Sequence, residues 1–421
     1  MRALLCVPCY LLRVPCYNVV RMRSRGWLAW MLIVAGCAAP PGPPPETVDA
    51  FVARHWRMPL APQGPPPERF TALERSLAPE SCGTCHPAQL ADWRTSTHAA
   101  AMGPGVSGQL VELLVTAPRS ALACQHCHAP LAEQAPLRPD TLAANPEFDP
   151  ALRGRGIPCA ACHVRAHERF GPPRRDGTLA SAVPRERLPH GGATRTPAYL
   201  ASEFCRACHQ FEPDGPALEG KLLQDTYNEW KASRFAAAGV QCQDCHMPDR
   251  RHLWRGIHDP EMVRRGLTIT LVDEGATPGA VAARLVVENT GVGHRFPTYV
   301  TPLVVLRAEL VDAAGRPVAG TRAERRIGRE VTLDLERELA DTRLEPGQRA
   351  ELAYARALDG GAVGARFSVV VYPDAFYTAF FETLLRQGAG RGEAEIRAAL
   401  AETRRSAFTV FESVSRPRSA R

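Results

Sequence analysis

The chain has 421 residues, of which 45% are apolar and 23% are charged, so it is neither wholly disordered nor fibrous and has enough sequence for two or three domain cores. The formal net charge of +7 would favour an acidic partner such as nucleic acid. Five arginines, however, precede Cys37 in a stretch without acidic residues, which leaves 46 basic against 44 acidic residues, so we expect no nucleic-acid partner.

The N-terminal segment has the features of an export signal. From Met22, which we take as the true start, a basic stretch leads into the apolar run Trp27 to Ala35. This run is too short to cross a bilayer, and residues 1–36 are therefore predicted to be a signal peptide. Val34-Ala35-Gly36-Cys37 resembles the lipobox of bacterial lipoproteins, in which the cysteine is acylated and two or more chains anchor the protein stably. Ordinary cleavage just after Cys37 is the alternative.

A proline-rich segment follows. Its two patches, Pro40 to Pro45 and Pro62 to Pro67, are typical of extended, semi-rigid linkers. Residues 37–77 are accordingly predicted to be a tether. With Cys37 lipidated, we expect an exported lipoprotein on the periplasmic side of the inner or outer membrane, or at the cell surface.

The cysteines after Cys37 form one pattern. Cys6, Cys9 and Cys16 precede Met22 and belong to no mature protein, whereas the ten that follow Cys37 make five Cys-x-x-Cys-His motifs. In this motif the two thiols bind a haem covalently and the histidine ligates its iron. Zinc ribbons need no histidine after each pair, and a disulfide framework would not space every pair alike. The sequence thus predicts five covalently attached haem c groups, bound by Cys82, Cys85, Cys124, Cys127, Cys159, Cys162, Cys205, Cys208, Cys242 and Cys245, with His86, His128, His163, His209 and His246 as proximal ligands.

The motifs are close together. Their starts are separated by 42, 35, 46 and 37 residues, so each haem has too little chain for a pocket of its own. We expect the haems to pack against one another and to form much of the core of residues 78–265, in a mostly helical or irregular domain. Haems in contact conduct electrons, which places the main function in electron transfer.

Eight further histidines are available as second iron ligands, which is enough for five bis-histidine haems. His126, inside its own motif, and His55, near the tether, are not expected to serve. The predicted distal ligands are His98, on a helix that leaves the first motif; His258, preferred to His252 after the fifth motif; His167, four residues after His163; His190, in a Pro-His-Gly-Gly loop; and His294, in a glycine-flanked loop beyond the haem region.

The pattern changes at Gly266. Short β-branched or alternating runs separated by turns predict an antiparallel β-sandwich over residues 266–373, with a strand at Val331 to Leu335 among them. A helix begins near Asp374 and stops at Gly388, and a second helix and a short strand complete the C-terminal helices and tail, residues 374–421. The predicted fold is an α+β multidomain protein.

The haem region resembles the multihaem cytochromes c of the cytochrome c-554 and hydroxylamine oxidoreductase group, which share a cytochrome c-552/4 domain. The resemblance covers about residues 78–300 and implies stacked, mostly bis-histidine haem pairs, with His98 as a distal ligand and a β-sandwich appended. It departs from enzymes of the group, since no Cys-x-x-Cys-Lys motif occurs and there are not eight haems. The matching segments are Cys82-x-x-Cys85-His86-x-x-Gln89-x-x-Asp92-Trp93-x-x-Ser96-x-His98, Cys242-x-x-Cys245-His246-Met247-Pro248 and Gly293-His294-x-Phe296-Pro297-Thr298.

Two functions remain open. In the first, the protein carries electrons between a redox protein or quinol-oxidising donor and a terminal acceptor. In the second, it is an oxidoreductase that acts on a small nitrogen or sulfur oxyanion at one five-coordinate haem. The histidine count favours the carrier, and no catalytic residue is assigned. A weaker third interpretation makes the haems structural and the β-domain a binding module.

Overall fold

The computed structural model describes residues 46–275 and 279–417. The predicted signal peptide, the start at Met22 and the lipidation site Cys37 lie outside the described residues. Among the helices of these ranges, none combines the length and apolar character that a bilayer crossing requires.

Residues 46–266 form short helices joined by irregular chain. Six of the helices begin with a proline, whose fixed φ suits the first helical position and whose missing N–H costs nothing there. The helices are α1 (Val48–His55), α2 (Ala72–Arg75), α3 (Pro79–Gly83), α4 (Pro87–Arg94), α5 (Pro104–Thr116), α6 (Pro118–His128), α7 (Pro150–Arg153), α8 (Cys159–His163), α9 (Glu203–His209), α10 (Thr226–Lys231), α11 (Arg234–Ala237), α12 (Cys242–His246) and α13 (Pro260–Gly266). Two-residue to four-residue strands lie among them: β1 (Val164–Arg165), β2 (Glu168–Gly171), β3 (Thr194–Arg195), β4 (Ala217–Leu218) and β5 (Lys221–Leu222).

The predicted tether is wrong for residues 46–77. Helix α1 is capped by the Thr47 side chain, and Phe51 and Val52 are buried against Phe170 and Tyr199 of the haem region. The chain that follows is also held, since Leu60 and Phe70 are buried. The high proline content of this segment favoured a linker in the sequence analysis, although the segment contains a short helix and apolar side chains that pack on the rest of the protein.

Residues 267–415 contain two antiparallel sheets packed face to face, which confirms the predicted α+β class. Their strands are β6 (Leu267–Asp273), β7 (Ala280–Asn289), β8 (Leu303–Asp312), β9 (Ala323–Val331), β10 (Glu338–Asp341), β11 (Arg349–Ala357), β12 (Ala362–Tyr372) and β13 (Phe408–Ser415). One sheet has the order β10-β9-β8-β12-β13 and the other β11-β7-β6. Apolar side chains from alternate positions, such as Leu285, Leu306 and Phe367, fill the space between the sheets.

Two details of this region differ from the prediction. The strand expected at Val331 to Leu335 lies upstream, at β9, where arginines occupy the exposed positions and obscure the alternation. The last strand, β13, pairs with β12, so the sheet takes its edge from beyond residue 373. The boundary between sandwich and tail is therefore not a structural one.

Helices α14 (Ala375–Gln387) and α15 (Glu393–Arg405) pack against α5 of the haem region. Contact is close, because a Cβ on Gly392 would lie 2.0 Å from the carbonyl oxygen of Gly108. Ile396, fully buried, packs beside the same glycine of α5. The C-terminal helices thus lie on the segment that leads into the second Cys-x-x-Cys-His motif.

Candidate functional site

Each Cys-x-x-Cys-His motif lies on or beside a short helix. One helical turn separates the two cysteines, and the histidine follows at once, so the three side chains project to the same side. The motifs occur at α3, α6, α8, α9 and α12, and none of their ten cysteines forms a disulfide. No group of three or more His, Cys, Asp or Glu side chains in the described ranges is arranged to hold a bare metal ion.

The thiols of different motifs meet. The Cys82 side chain hydrogen-bonds that of Cys159, which brings the first and third motifs together. Cys127 does the same with Cys208, and Cys205 with Cys242, so the fourth motif contacts both the second and the fifth. Groups attached through these sulfurs would be neighbours.

Three proximal histidines each face a second histidine across a gap. The ring centroids of His209 and His98 are 6.2 Å apart, and those of His163 and His252 are also 6.2 Å apart. The rings of His246 and His294 are 6.4 Å apart and nearly parallel, at 11°. Two metal–nitrogen bonds of about 2 Å, with half a ring behind each, separate centroids by about 6 Å. The spacing therefore fits an iron atom between each pair.

The ring nitrogens are oriented for coordination. A carbonyl oxygen only accepts, so a histidine whose Nδ1 contacts a carbonyl carries its proton there and leaves the Nε2 lone pair for a metal. Both proximal and facing histidines show this arrangement. The contacts join Nδ1 to a carbonyl oxygen in His128 and Ala101 (2.8 Å), His163 and Phe170 (2.8 Å), His246 and Arg255 (2.6 Å), His190 and Gly192 (3.0 Å), His252 and Arg250 (3.1 Å), and His294 and Arg295 (2.9 Å).

Burial keeps these histidines neutral. It lowers the pKa of His98 to about 3 and the pKa values of His163, His209 and His294 to about 4, because the charged form is poorly solvated. Neutral imidazole is the form that binds a metal. The same desolvation favours coordination at physiological pH.

The structure brings together some predicted ligands and separates others. His98 and His294 face proximal histidines, and His190 lies within electrostatic range of His86. His258 does not face one, since its exposed ring contacts the Asp374 carboxylate at 3.0 Å. His252, which the sequence ranked below it, lies opposite His163.

His258 directly precedes Asp259, which caps α13, and its Nε2 contacts the Asp374 carboxylate. The interval from the fifth motif does not distinguish the two residues, so sequence reasoning had no signal that favours His252. His167 is also displaced from the predicted role. It is buried, and its Nε2 donates to the carbonyl oxygen of Gly64 at 2.9 Å.

A cavity of about 630 Å³ joins the fourth and fifth motifs. His98, His209, His246 and His294 line it together with Tyr299. Its volume is within the range of cofactor pockets, about 300–1,000 Å³. Arginines 206, 255 and 265 also lie at its wall, where guanidinium groups would pair with propionates.

The β-sandwich supplies part of this cavity. His294 and Tyr299 belong to the loop between β7 and β8, and Tyr299 Oη lies 2.8 Å from Nδ1 of His209. Buried ion pairs fix the loop, since Arg343 contacts Glu229 of α10 at 3.3 Å and donates to the Thr298 carbonyl at 2.7 Å. The histidine that faces His246 of the fifth motif is thus supplied by the β-sandwich and not by the haem region.

Comparison with known proteins gives one family and one solved structure. Residues 81–164 match the family described as Cytochrome c554 and c-prime. No curated protein matches the chain significantly. The crystal structure of a penta-heme cytochrome c552 from Thermochromatium tepidum is similar, with 20% identity and a TM-score of 0.57 over 82% of this chain and 99% of that chain. That likeness concerns the fold.

Proposed function

We propose that the chain is a multihaem cytochrome c: an exported, membrane-anchored pentahaem protein that relays electrons through closely packed, mostly bis-histidine haems. The observation that carries this proposal is the set of three histidine pairs with centroids 6.2 to 6.4 Å apart. Haem, when bound, supplies an iron that takes up and gives off one electron.

The residues suggest which histidine serves which motif. His98 is assigned to His209, His252 to His163 and His294 to His246, on the ring distances given above. His190 is assigned to His86, because the two are in electrostatic range and its Nδ1 is held by a carbonyl. The cysteines of each motif hold the group by thioether bonds.

The contacts between motifs suggest a path. The first motif adjoins the third, and Cys162 of the third lies within electrostatic range of Cys205 and Cys208 in the fourth. The second and fifth motifs both touch the fourth through their thiols. We infer that the third centre connects the first to the fourth, and that the second and fifth centres each exchange electrons with the fourth.

Two measurements test the cofactor content and coordination. Intact mass should give five haems per chain, and electron paramagnetic resonance of the ferric protein should show low-spin signals for the centres at His163, His209 and His246. Fewer than five haems would overturn the pentahaem assignment. A high-spin majority would overturn the bis-histidine assignment.

Anchoring through Cys37 completes the proposal. We expect acyl chains on this residue, on the periplasmic side of the inner or outer membrane or at the cell surface, with a redox protein or quinol-oxidising donor and a terminal acceptor as partners. Mass spectrometry of the mature N-terminus tests it, because a lipidated cysteine and a free N-terminus differ by the mass of the chains. Free Cys37 or cleavage beyond it would contradict the anchor.

A second candidate function rests on the second motif. All thirteen histidines lie in the described ranges, and none faces the ring of His128 there. His55, His167 and His258 have Nε2 bonded to protein atoms, and His126 belongs to the second motif itself. Three facing histidines and His190 therefore remain for five centres, so the favourable count in the sequence does not hold in space.

The candidate is an oxidoreductase that acts on a small nitrogen or sulfur oxyanion at a five-coordinate centre on His128. Carbon monoxide should bind one ferrous centre per chain in the wild type. His252→Ala should raise the number to two, whereas His258→Ala should leave it at one. No binding in the wild type would contradict this function and leave the electron carrier.

A further inference from the structure

The proximal histidine His209 has a tyrosine, Tyr299, as the hydrogen-bond partner of its Nδ1. Nδ1 of His128, His163 and His246 each donates to a backbone carbonyl. Nδ1 of His209 instead lies 2.8 Å from the hydroxyl oxygen of Tyr299. The fourth motif thus has a phenol where the second, third and fifth have a peptide group, and that phenol comes from the β-sandwich.

The direction of this hydrogen bond follows from coordination. When Nε2 of His209 binds iron, Nδ1 carries the proton and donates it to Tyr299 Oη. The tyrosine hydroxyl in turn bonds to Thr226, whose Oγ1 lies 2.7 Å from that of Thr298. Burial raises the pKa of Tyr299 to about 12, so the phenol is neutral at physiological pH.

A neutral phenol oxygen accepts a hydrogen bond more weakly than a peptide carbonyl does. The partner of the distant ring nitrogen sets the basicity of a metal-bound imidazole. A weaker acceptor therefore leaves His209 the poorer electron donor, and a poorer donor stabilises the ferric state less. His246, across the same cavity, donates to the Arg255 carbonyl over only 2.6 Å.

We propose that Tyr299 is a positioning residue whose weak hydrogen bond leaves the centre at His209 with a higher reduction potential than the carbonyl-held centre at His246, which makes the centre at His209 the electron acceptor of this pair. One electron leaves the centre at His246 and enters the centre at His209, and no proton moves. The inference rests on the proposed coordination of His209 by way of Nε2. It also gives the β-sandwich a part in setting the direction of electron flow.

Tyr299→Phe tests the inference, because it keeps the ring and removes the acceptor. One of the five potentials should rise by about a tenfold change in the reduction equilibrium, which is 59 mV for one electron. A redox titration followed by visible absorption gives the potentials, and electron paramagnetic resonance of poised samples assigns them. Thr226→Val, which removes the partner of the tyrosine hydroxyl, should move the same potential in the same direction by less.

Tyr227→Phe is the matched control. Tyr227 lines the same cavity, but its hydroxyl donates to Glu203 at 3.0 Å and not to a histidine, so all five potentials should stay unchanged. The inference is overturned if the wild-type potential of the centre at His209 lies below that of the centre at His246. It is also overturned if both tyrosine variants leave the potentials as in the wild type, or if Tyr299→Phe moves all five together. A wild-type protein with no haem at His209, or with no low-spin signal from that centre, would instead overturn the proposed coordination.

Discussion

Arg329 is expected to be the largest single electrostatic contribution to the stability of the interface between the β-sandwich and the haem region. Its side chain is fully buried on β9 and donates to the Glu338 carboxylate at 2.8 Å. It also donates to the carbonyl oxygens of Leu222 at 2.6 Å and Lys221 at 3.0 Å, both in β5 of the haem region. One guanidinium therefore satisfies acceptors from both layers.

Arg329→Met keeps the bulk of the side chain and removes these bonds. Taking away one partner of a buried ion pair costs about 3–5 kcal/mol. Lys221 still contacts Glu338 in the variant, so the loss should lie near the lower end, at about 3 kcal/mol. With a urea m-value of about 3 kcal/mol/M, the unfolding midpoint should fall by about 1 M.

The matched control lies three residues away on the same strand. Arg326 pairs with Glu330 at 2.9 Å, but its side chain is 50% exposed, and an exposed pair contributes less than about 1 kcal/mol. Urea unfolding of the holoprotein, followed by far-ultraviolet circular dichroism, compares Arg326→Met with Arg329→Met. Equal midpoints for the two variants would refute the argument that burial decides the cost.

Three further results are expected. His294→Ala should convert one low-spin centre to high spin without loss of covalent haem, as measured by electron paramagnetic resonance and intact mass; an unchanged spectrum would remove His294 from the ligand set. Cys37→Ser should move the protein from the membrane to the soluble fraction on cell fractionation, and unchanged membrane association would exclude a lipid anchor. Acid should destabilise the interface through Asp341. Burial alone would raise the pKa of this carboxyl, but the Arg343 and Lys221 side chains hold it well below its ordinary value. The stability from this carboxylate is therefore complete above a pH of about 4 and is lost as the pH falls through the depressed pKa, which urea midpoints measured at a series of pH values should show.

The Cys-x-x-Cys-His motifs could be recognised in the sequence because the chemistry that they predict is local. Two thiols and a histidine that act on one group must be adjacent in the chain, so spacing alone identifies them. Distal ligands are set by tertiary structure instead. His252 and His258 both follow the fifth motif closely, yet in the tertiary structure His258 contacts Asp374 and His252 faces His163.

Fold prediction failed where charge or proline concealed burial. The strand β9 carries three arginines among nine residues, and one of them, Arg329, is among the most deeply buried side chains of the described ranges. A hydrophobic pattern cannot reveal a strand whose inward position is occupied by a paired charge. Residues 46–77 show the converse, since their prolines predict an extended linker while Phe51, Leu60 and Phe70 are anchored in the body of the protein.

The position of the β7–β8 loop also bears on what the β-sandwich is for. This loop carries His294, which faces His246, and Tyr299, which contacts His209, so two neighbouring motifs each depend on one residue from beyond position 266. A separate binding module would need no such residues and would tolerate a mobile junction. Here buried pairs such as Arg343 with Glu229 fix the loop on the haem region. If His294 ligates iron, the sandwich is part of the electron-transfer unit, and any shift between the two layers would change coordination at one centre and hydrogen bonding at the next.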